Sequence, residues 1–241
     1  RWIQIGPVNF QPSEVAKLGV VLYFAARLSK RNTEKPRRLN PRSLLSGPLG
    51  VLQRIGFLEL VPYILILGVI AGLMLLEPHM SGTILILVGG AAVLFAAGIK
   101  LYWFIIGGAG VAGGLWFIIT STDYMASRIN LWKDPRNDGM NGLGKGFQTI
   151  QSLYAIGSGG LLGLGLGKSR QKFLYLPEPE NDFIFSIVCE ELGLVGATVV
   201  LILFALLIIR GYWIAIHARD RFGALLVVGF TTLLAVQVFL N

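Results

Sequence analysis

Acidic residues gather where a polar part of this chain meets an apolar segment. Glu178, Glu180 and Asp182 lie just before a long apolar run, and Glu190 and Glu191 lie inside that run. A carboxylate in such a place is unfavourable unless it faces a polar cavity or a partner. The pattern therefore indicates a functional site.

Asp182 has two interpretations. With Asn181, it stands where the N-cap of a helix is expected, and a capping Asp needs no further role. A carboxylate partly buried at a helix start can also be placed to take a proton from a hydroxyl. Asp182 is therefore a candidate general base.

Two pairs of charged residues lie within predicted helices. Glu190 and Glu191 are adjacent, so their side chains point about 100° apart and cannot both easily face lipid. We expect one of them to line a cavity or pair with a base, with an interhelical structural bond as the alternative to catalysis. Glu14 and Lys17 share one helix face, either as a local ion pair or as polar groups facing the bundle interior.

Three bases, Lys168, Arg170 and Lys172, fall within five residues shortly before Asp182. They could anchor the chain to lipid head groups, or neutralise a pyrophosphate as charge develops on it. The glycine-rich stretch at 157–160 lacks the preceding strand and the Lys-Ser/Thr ending of a phosphate loop.

Metal-ligating residues are scarce. The single cysteine, Cys189, lies in an apolar segment, which excludes an intrachain disulfide and a Cys-based metal site. His79 and His217 are far apart, which argues against zinc. The sequence contains no metal motif, identifies no cofactor and leaves a divalent-cation requirement open.

Composition points to an integral membrane protein. Of 241 residues, 54% are hydrophobic and 14% are charged, against roughly 25% charged in a soluble domain. The apolar runs approach the roughly 17–25 residues that a spanning helix needs, and none alternates with period two. The fold class is therefore all-α, a polytopic membrane helical bundle of about six spanning helices, at about 14–28, 59–76, 83–99, 101–119, 183–209 and 222–240.

The basic residues set the orientation. The excess of 21 Lys and Arg over 13 Asp and Glu could suggest a protein that binds nucleic acid. The basic residues concentrate in short loops, however, as the positive-inside rule requires. We expect no nucleic-acid partner, a cytoplasmic loop at 29–58 and a large extracellular loop at 120–182. Within the extracellular loop, the glycine-rich and mildly apolar sequence at 150–167 predicts a short helix and tight turns, packed against protein or dipping into a cavity. Residues 1–241 would form one transmembrane domain.

Six stretches of the sequence together resemble the SEDS family (shape, elongation, division and sporulation), whose members are bacterial peptidoglycan glycan polymerases. The stretches are 2–6, 11–17, 77–83, 151–160, 176–185 and 190–193. The amino-acid sequence at 169–173 and 177–179 is more similar to the division and sporulation members, FtsW and SpoVE, than to the elongation member RodA. The resemblance implies a fold of ten spanning helices. This chain would hold the fourth to the ninth, so sequence is expected beyond both ends.

The resemblance also implies a site and an activity. Asp182 would be the essential carboxylate at the outer mouth of a central cavity, with Glu14 and Lys17 near it. The activity would be lipid II polymerisation by an inverting glycosyltransferase in the bacterial plasma membrane, with Asp182 as base and with Lys17, Lys168, Arg170 and Lys172 facing the pyrophosphate. The implied partner is a class B penicillin-binding protein, a transpeptidase.

Two other functions compete with this one. A transporter of lipid-linked precursors would carry charge along its whole translocation path, whereas here most charge lies at the outer mouth, which favours chemistry. A scaffold that only recruits a partner is the third hypothesis.

Overall fold

In the computed structural model of the protein, the regular structure of the described residues is helical apart from one short hairpin, in which Ile3–Ile5 pairs antiparallel with Val8–Phe10. The predicted all-α fold class is confirmed, and the hairpin precedes the first helix. Asp182, Lys172 and most of the basic loop at 29–58 lie outside the described residues, which are 3–5, 8–30, 57–76, 80–121, 130–140, 142–144, 146–171 and 183–240.

Among the described residues, six helices match the six predicted segments, and a shorter helix lies between the fourth and fifth of them. They are α1 (Pro12–Ser29), α2 (Phe57–Leu76), α3 (Met80–Ala96), α4 (Leu101–Ser121), α5 (Phe147–Gly159), α6 (Ile184–Ile216) and α7 (Arg221–Leu240).

The end of α6 differs most from its prediction, because the helix continues past Ile209 to Ile216. The charge of Arg210 suggested a helix end. In the structure its guanidinium lies over the ring of Trp213, 4.2 Å from the ring centroid, so an aromatic face accommodates the charge within the helix.

The chain divides into two compact units, Arg1–Lys100 with Ile208–Leu240, and Leu101–Leu207. In the first unit α3 packs against α1, α2 and α7, and α1 also contacts α2 and α7. Its core includes the fully buried Phe24 and Val93. A Cβ on Gly229 would lie 2.4 Å from Val21 Cγ1, so glycine is what lets α7 approach α1 closely.

In the second unit lie α4, α5 and the larger part of α6. Among the described residues, α6 and α7 are long and apolar enough to cross a membrane. Their apolar side chains are not confined to a core, since Leu203 of α6 is 60% exposed and Phe239 of α7 is 88% exposed. An apolar surface of this kind suits lipid better than water.

Candidate active site

Helix α6 is broken at Gly193, whose φ of 66° and ψ of −171° are not helical. Positive φ at this position favours glycine over residues that carry a Cβ. The break divides α6 into a first part, 184–192, and a second part, 194–216. Carbonyl groups before the break and amides after it lose their intrahelical partners and must find others.

The missing partners come from residues 160–171, which we call the docked loop. This glycine-rich segment follows α5 and lies against the break. Four backbone hydrogen bonds join it to the two parts of α6: Leu164 N to Glu190 O at 2.9 Å, Gly165 N to Glu191 O at 3.0 Å, Leu194 N to Gly160 O at 2.9 Å and Val195 N to Leu161 O at 3.1 Å. The loop therefore satisfies both sides of the break.

Glycines make this contact possible because backbone meets backbone. A Cβ on Gly159 would lie 2.0 Å from Cys189 O, and one on Gly163, at φ 77°, would lie 2.2 Å from Glu191 O. No side chain fits either space. The prediction of a short helix and tight turns packed against protein at 150–167 is confirmed.

The carboxylates of Glu190 and Glu191 bind the end of the same loop, and Glu190 is only 1% exposed. Both side chains accept hydrogen bonds from segment 167–171. The contacts are Ser169 Oγ to Glu190 Oε2 at 2.5 Å, Arg170 N to Glu190 Oε1 at 3.0 Å, Gln171 N to Glu190 Oε2 at 3.4 Å, Gly167 N to Glu191 Oε2 at 3.0 Å and Ser169 N to Glu191 Oε1 at 3.3 Å. These contacts join both carboxylates to a loop, and a role of either glutamate toward a substrate stays a prediction.

Two of the three predicted bases, Lys168 and Arg170, lie on the docked loop with exposed side chains. The backbone of Arg170 is held by Glu190, and that of Lys168 donates to Gly165 O at 3.1 Å. The two exposed cationic side chains thus extend from a backbone that is hydrogen-bonded to α6. Lys172 lies outside the described residues.

Glu14 and Lys17 form the ion pair that their spacing predicts, with Lys17 Nζ 2.7 Å from Glu14 Oε1. The side chain of Lys17 is 10% exposed and that of Glu14 is 57% exposed. The local ion pair is confirmed, and its lysine points into the packed face of α1. A role for the pair toward a substrate stays a prediction.

The predicted base, Asp182, precedes the first described residue of its region. Helix α6 begins at Ile184, and Ser186 N donates to Phe183 O at 3.0 Å. Both the cap and the base interpretations of Asp182 stay predictions.

Asp138 organises the polar loop before α5, a role that the sequence did not reveal. Its carboxylate accepts four backbone amides: Met140 N and Gly142 N, both at 2.8 Å, Gly144 N at 2.7 Å and Gly146 N at 3.3 Å. The donors, led by the Gly142 amide, lower the pKa of Asp138 to about 2. An aspartate followed by glycines at alternate positions, Gly142, Gly144 and Gly146, is the sequence pattern that could have indicated this loop.

Acid should therefore open this loop. Because the folded pKa of Asp138 is lowered from 3.8, its stabilisation is complete above that pH and is lost as the pH falls toward 2. We expect pepsin to cleave within 138–147 at about pH 2 but not at about pH 4, while Asp138→Asn is cleaved at both. Equal cleavage of the parental protein at the two pH values would contradict this role.

No group of three His, Cys, Asp or Glu side chains within the described ranges could hold a metal ion. The described part of the site consists of the docked loop, the buried carboxylate of Glu190, the half-buried carboxylate of Glu191 and the two exposed cations of Lys168 and Arg170. Such cations can stabilise negative charge on a phosphorylated ligand.

The whole chain, residues 1–241, matches the family model for FtsW, RodA and SpoVE, described as cell cycle protein. Stage V sporulation protein E from Bacillus subtilis (strain 168) is 40% identical over 245 residues, covering 100% of this chain and 60% of the relative. A probable peptidoglycan glycosyltransferase FtsW from Thioalkalivibrio sulfidiphilus (strain HL-EbGR7) is 40% identical over 244 residues, covering 100% of this chain and 56% of the relative.

Solved structures show the same likeness. A chain of a peptidoglycan synthase complex, described as coordinating polymerization and crosslinking, superposes with TM-score 0.66 at 29% identity, covering 98% of this chain and 60% of that one. The rod shape determining protein RodA of Thermus thermophilus gives TM-score 0.57 at 25% identity, covering 99% of this chain and 55% of that one.

The chain spans about 60% of the length of the curated relatives that it matches. The match to the family model has no gap in coverage, since it runs from residue 1 to residue 241. This chain therefore belongs to the FtsW/RodA/SpoVE family, the SEDS family that its motifs resemble.

Proposed function

We propose that the protein is a peptidoglycan glycosyltransferase that polymerises lipid II into β-1,4 glycan strands for the septal or spore cell wall. The relatives named FtsW are described as probable peptidoglycan glycosyltransferases, and the B. subtilis relative is named for sporulation. These names favour a polymerase over a transporter of the lipid-linked precursor.

In the proposed reaction, Asp182 takes the proton from the GlcNAc 4-hydroxyl of an incoming lipid II. The freed oxygen attacks the anomeric carbon of the growing strand and forms the new glycosidic bond with inversion. The bond from that carbon to undecaprenyl pyrophosphate breaks, and the leaving group takes the electron pair. One positioned base and stabilisation of the leaving pyrophosphate are what this step needs.

The docked loop is the observation that carries the proposal. It presents Lys168 and Arg170 as exposed cations on a backbone fixed to α6, and the chain runs on from there through Lys172 to Asp182. A fixed cation stabilises developing negative charge without having to reorganise during the reaction. This is the chemistry that a departing pyrophosphate requires.

Lys17 is the fourth candidate for the pyrophosphate, with Glu14 as its partner. The pair brings a nearly buried ammonium into the packed face of α1, where a charge is retained only with a partner. We assign both residues to a substrate cavity.

We further propose that the protein is multi-pass in the bacterial plasma membrane, as one transmembrane domain over 1–241. Loop 29–58 would face the cytoplasm and loop 120–182 the outside. The partner would be a class B penicillin-binding protein, consistent with the similarity to a synthase complex that joins polymerization to crosslinking.

The test uses the full-length protein, reconstituted in liposomes with purified lipid II. Strand formation and lipid II translocation are scored separately, with and without the transpeptidase and with and without a divalent cation. We expect glycan strands. Translocation without strands would replace this proposal with the transporter, and neither activity would favour the scaffold.

Neutralising the basic cluster should slow turnover. Single Ala substitutions at Lys168, Arg170 and Lys172 remove a charge that stabilises the transition state more than the ground state. We expect turnover to fall roughly tenfold, or about 1.4 kcal/mol, with little change in apparent KM. The control is Lys133→Ala, an exposed lysine of the same predicted outer loop. A membrane anchor would instead lower yield and leave turnover per folded molecule unchanged at all three positions.

A further inference from the structure

The carboxylate of Glu190 is closed off from any substrate. The residue is 1% exposed, and its two oxygens already accept the Ser169 hydroxyl and the amides of Arg170 and Gln171. Three hydrogen bonds to this one side chain hold the loop to the first part of α6. A sugar hydroxyl would have to displace them.

The negative charge of a pyrophosphate also argues against substrate contact by either Glu190 or Glu191. A pyrophosphate carries negative charge, and a carboxylate placed against it would be repelled. Glu191 binds Gly167 N and Ser169 N, on the same stretch of backbone as Glu190. The two side chains leave adjacent helix positions and meet one loop, which passes over both.

The docked loop is thus fixed at both ends. Its start, 160–165, is bound through backbone hydrogen bonds across the break in α6, and its end, 167–171, is bound by the two carboxylates. Lys168 and Arg170 lie within the end that the carboxylates hold. Their placement therefore depends on Glu190 and Glu191, whose carboxylates bind backbone amides at 167 and 169–171.

We propose that Glu190 and Glu191 are positioning residues: they bind the backbone of 167–171 and so set where Lys168 and Arg170 present their charges, without contacting the substrate. This role rests on the proposed function. It differs from direct substrate binding, for which both glutamates are candidates from the sequence.

Hydrogen exchange tests the contact itself, without reference to activity. In the full-length protein, Glu190→Gln replaces one acceptor oxygen with an NH2 group that faces backbone donors. We expect exchange of the Arg170 and Gln171 amides to quicken about tenfold or more, because losing a hydrogen bond of about 1.4 kcal/mol changes an opening equilibrium by that factor. Glu191→Gln should act mainly on Gly167 and Ser169, and α5 should be unchanged in both variants.

Turnover tests the positioning role. Glu190→Gln should lower kcat about tenfold with KM changed less than about threefold, as loss of a transition-state interaction predicts. In the Lys168→Ala/Arg170→Ala background, the same substitution should lower kcat by less than about twofold, because the cations that it positions are gone. Ser169→Ala, which removes one donor, should give an intermediate effect.

The outcomes separate the possibilities. Unchanged exchange at 167–171 would overturn the proposal, as would turnover losses that multiply in the combined variant or an unchanged kcat per folded molecule. An inactive parental protein would overturn the proposed function, and with it the positioning role. The exchange result would then still show whether the carboxylates hold the loop.

Discussion

Asp182→Asn in the full-length protein is expected to lower lipid II polymerisation by about a hundredfold or more, since a positioned general base contributes roughly 10²–10⁴-fold. The amide has nearly the shape of the carboxylate but cannot take the proton from the acceptor hydroxyl. Asn is also a good N-cap residue, so the start of α6 should keep its stability. The substitution therefore separates the two interpretations of Asp182.

Two further variants sharpen this test. Glu180→Gln neutralises a carboxylate two residues away and should leave turnover near the parental value. Asp182→Ala removes cap and base together, so it should lose the activity and also about 1 kcal/mol of stability if the residue caps the helix. Polymerisation by Asp182→Asn at the parental rate would place the base elsewhere.

The helices could be predicted because hydropathy is a local property of the sequence. The segment at 14–28 is α1, Pro12–Ser29, and the segment at 222–240 is α7, Arg221–Leu240. The Glu14–Lys17 ion pair could be predicted for the same reason, because residues three apart on a helix are neighbours.

The break in α6 could not be predicted, because its cause lies about thirty residues upstream in the chain. Within 183–209, Gly193 looks like an ordinary interior glycine of an apolar helix. Its conformation is set by amides and carbonyls of the docked loop, and such long-range backbone pairing leaves no periodic pattern. The loop partners of Glu190 and Glu191 could not be predicted for the same reason, although two carboxylates within an apolar segment marked the place.

Gly193→Ala is the second substitution with a large expected effect, here on stability. The φ and ψ of Gly193 lie in a region that essentially only glycine occupies, and holding a residue with a Cβ there costs roughly 1–3 kcal/mol. The added carbon would also lie 2.3 Å from Gly163 N and 2.6 Å from Leu161 O, and both are backbone atoms of the docked loop that cannot rotate away. The loop must move, and the backbone hydrogen bonds across the break, about 0.5–1.5 kcal/mol each, are lost with it. We expect a destabilisation of about 3 kcal/mol or more.

Thermal unfolding of the purified full-length protein measures this loss, and Gly157→Ala is its matched control. Gly157 lies in α5, and a Cβ there meets nothing within 4 Å, so alanine should be neutral or stabilise by up to about 1 kcal/mol. Gly193→Ala should also speed amide hydrogen exchange at 160–171, because both ends of the docked loop are hydrogen-bonded to residues of α6 close to the break. If the two variants unfold at the same temperature, the loop is not held by the break, and the cations that it carries lose their fixed place.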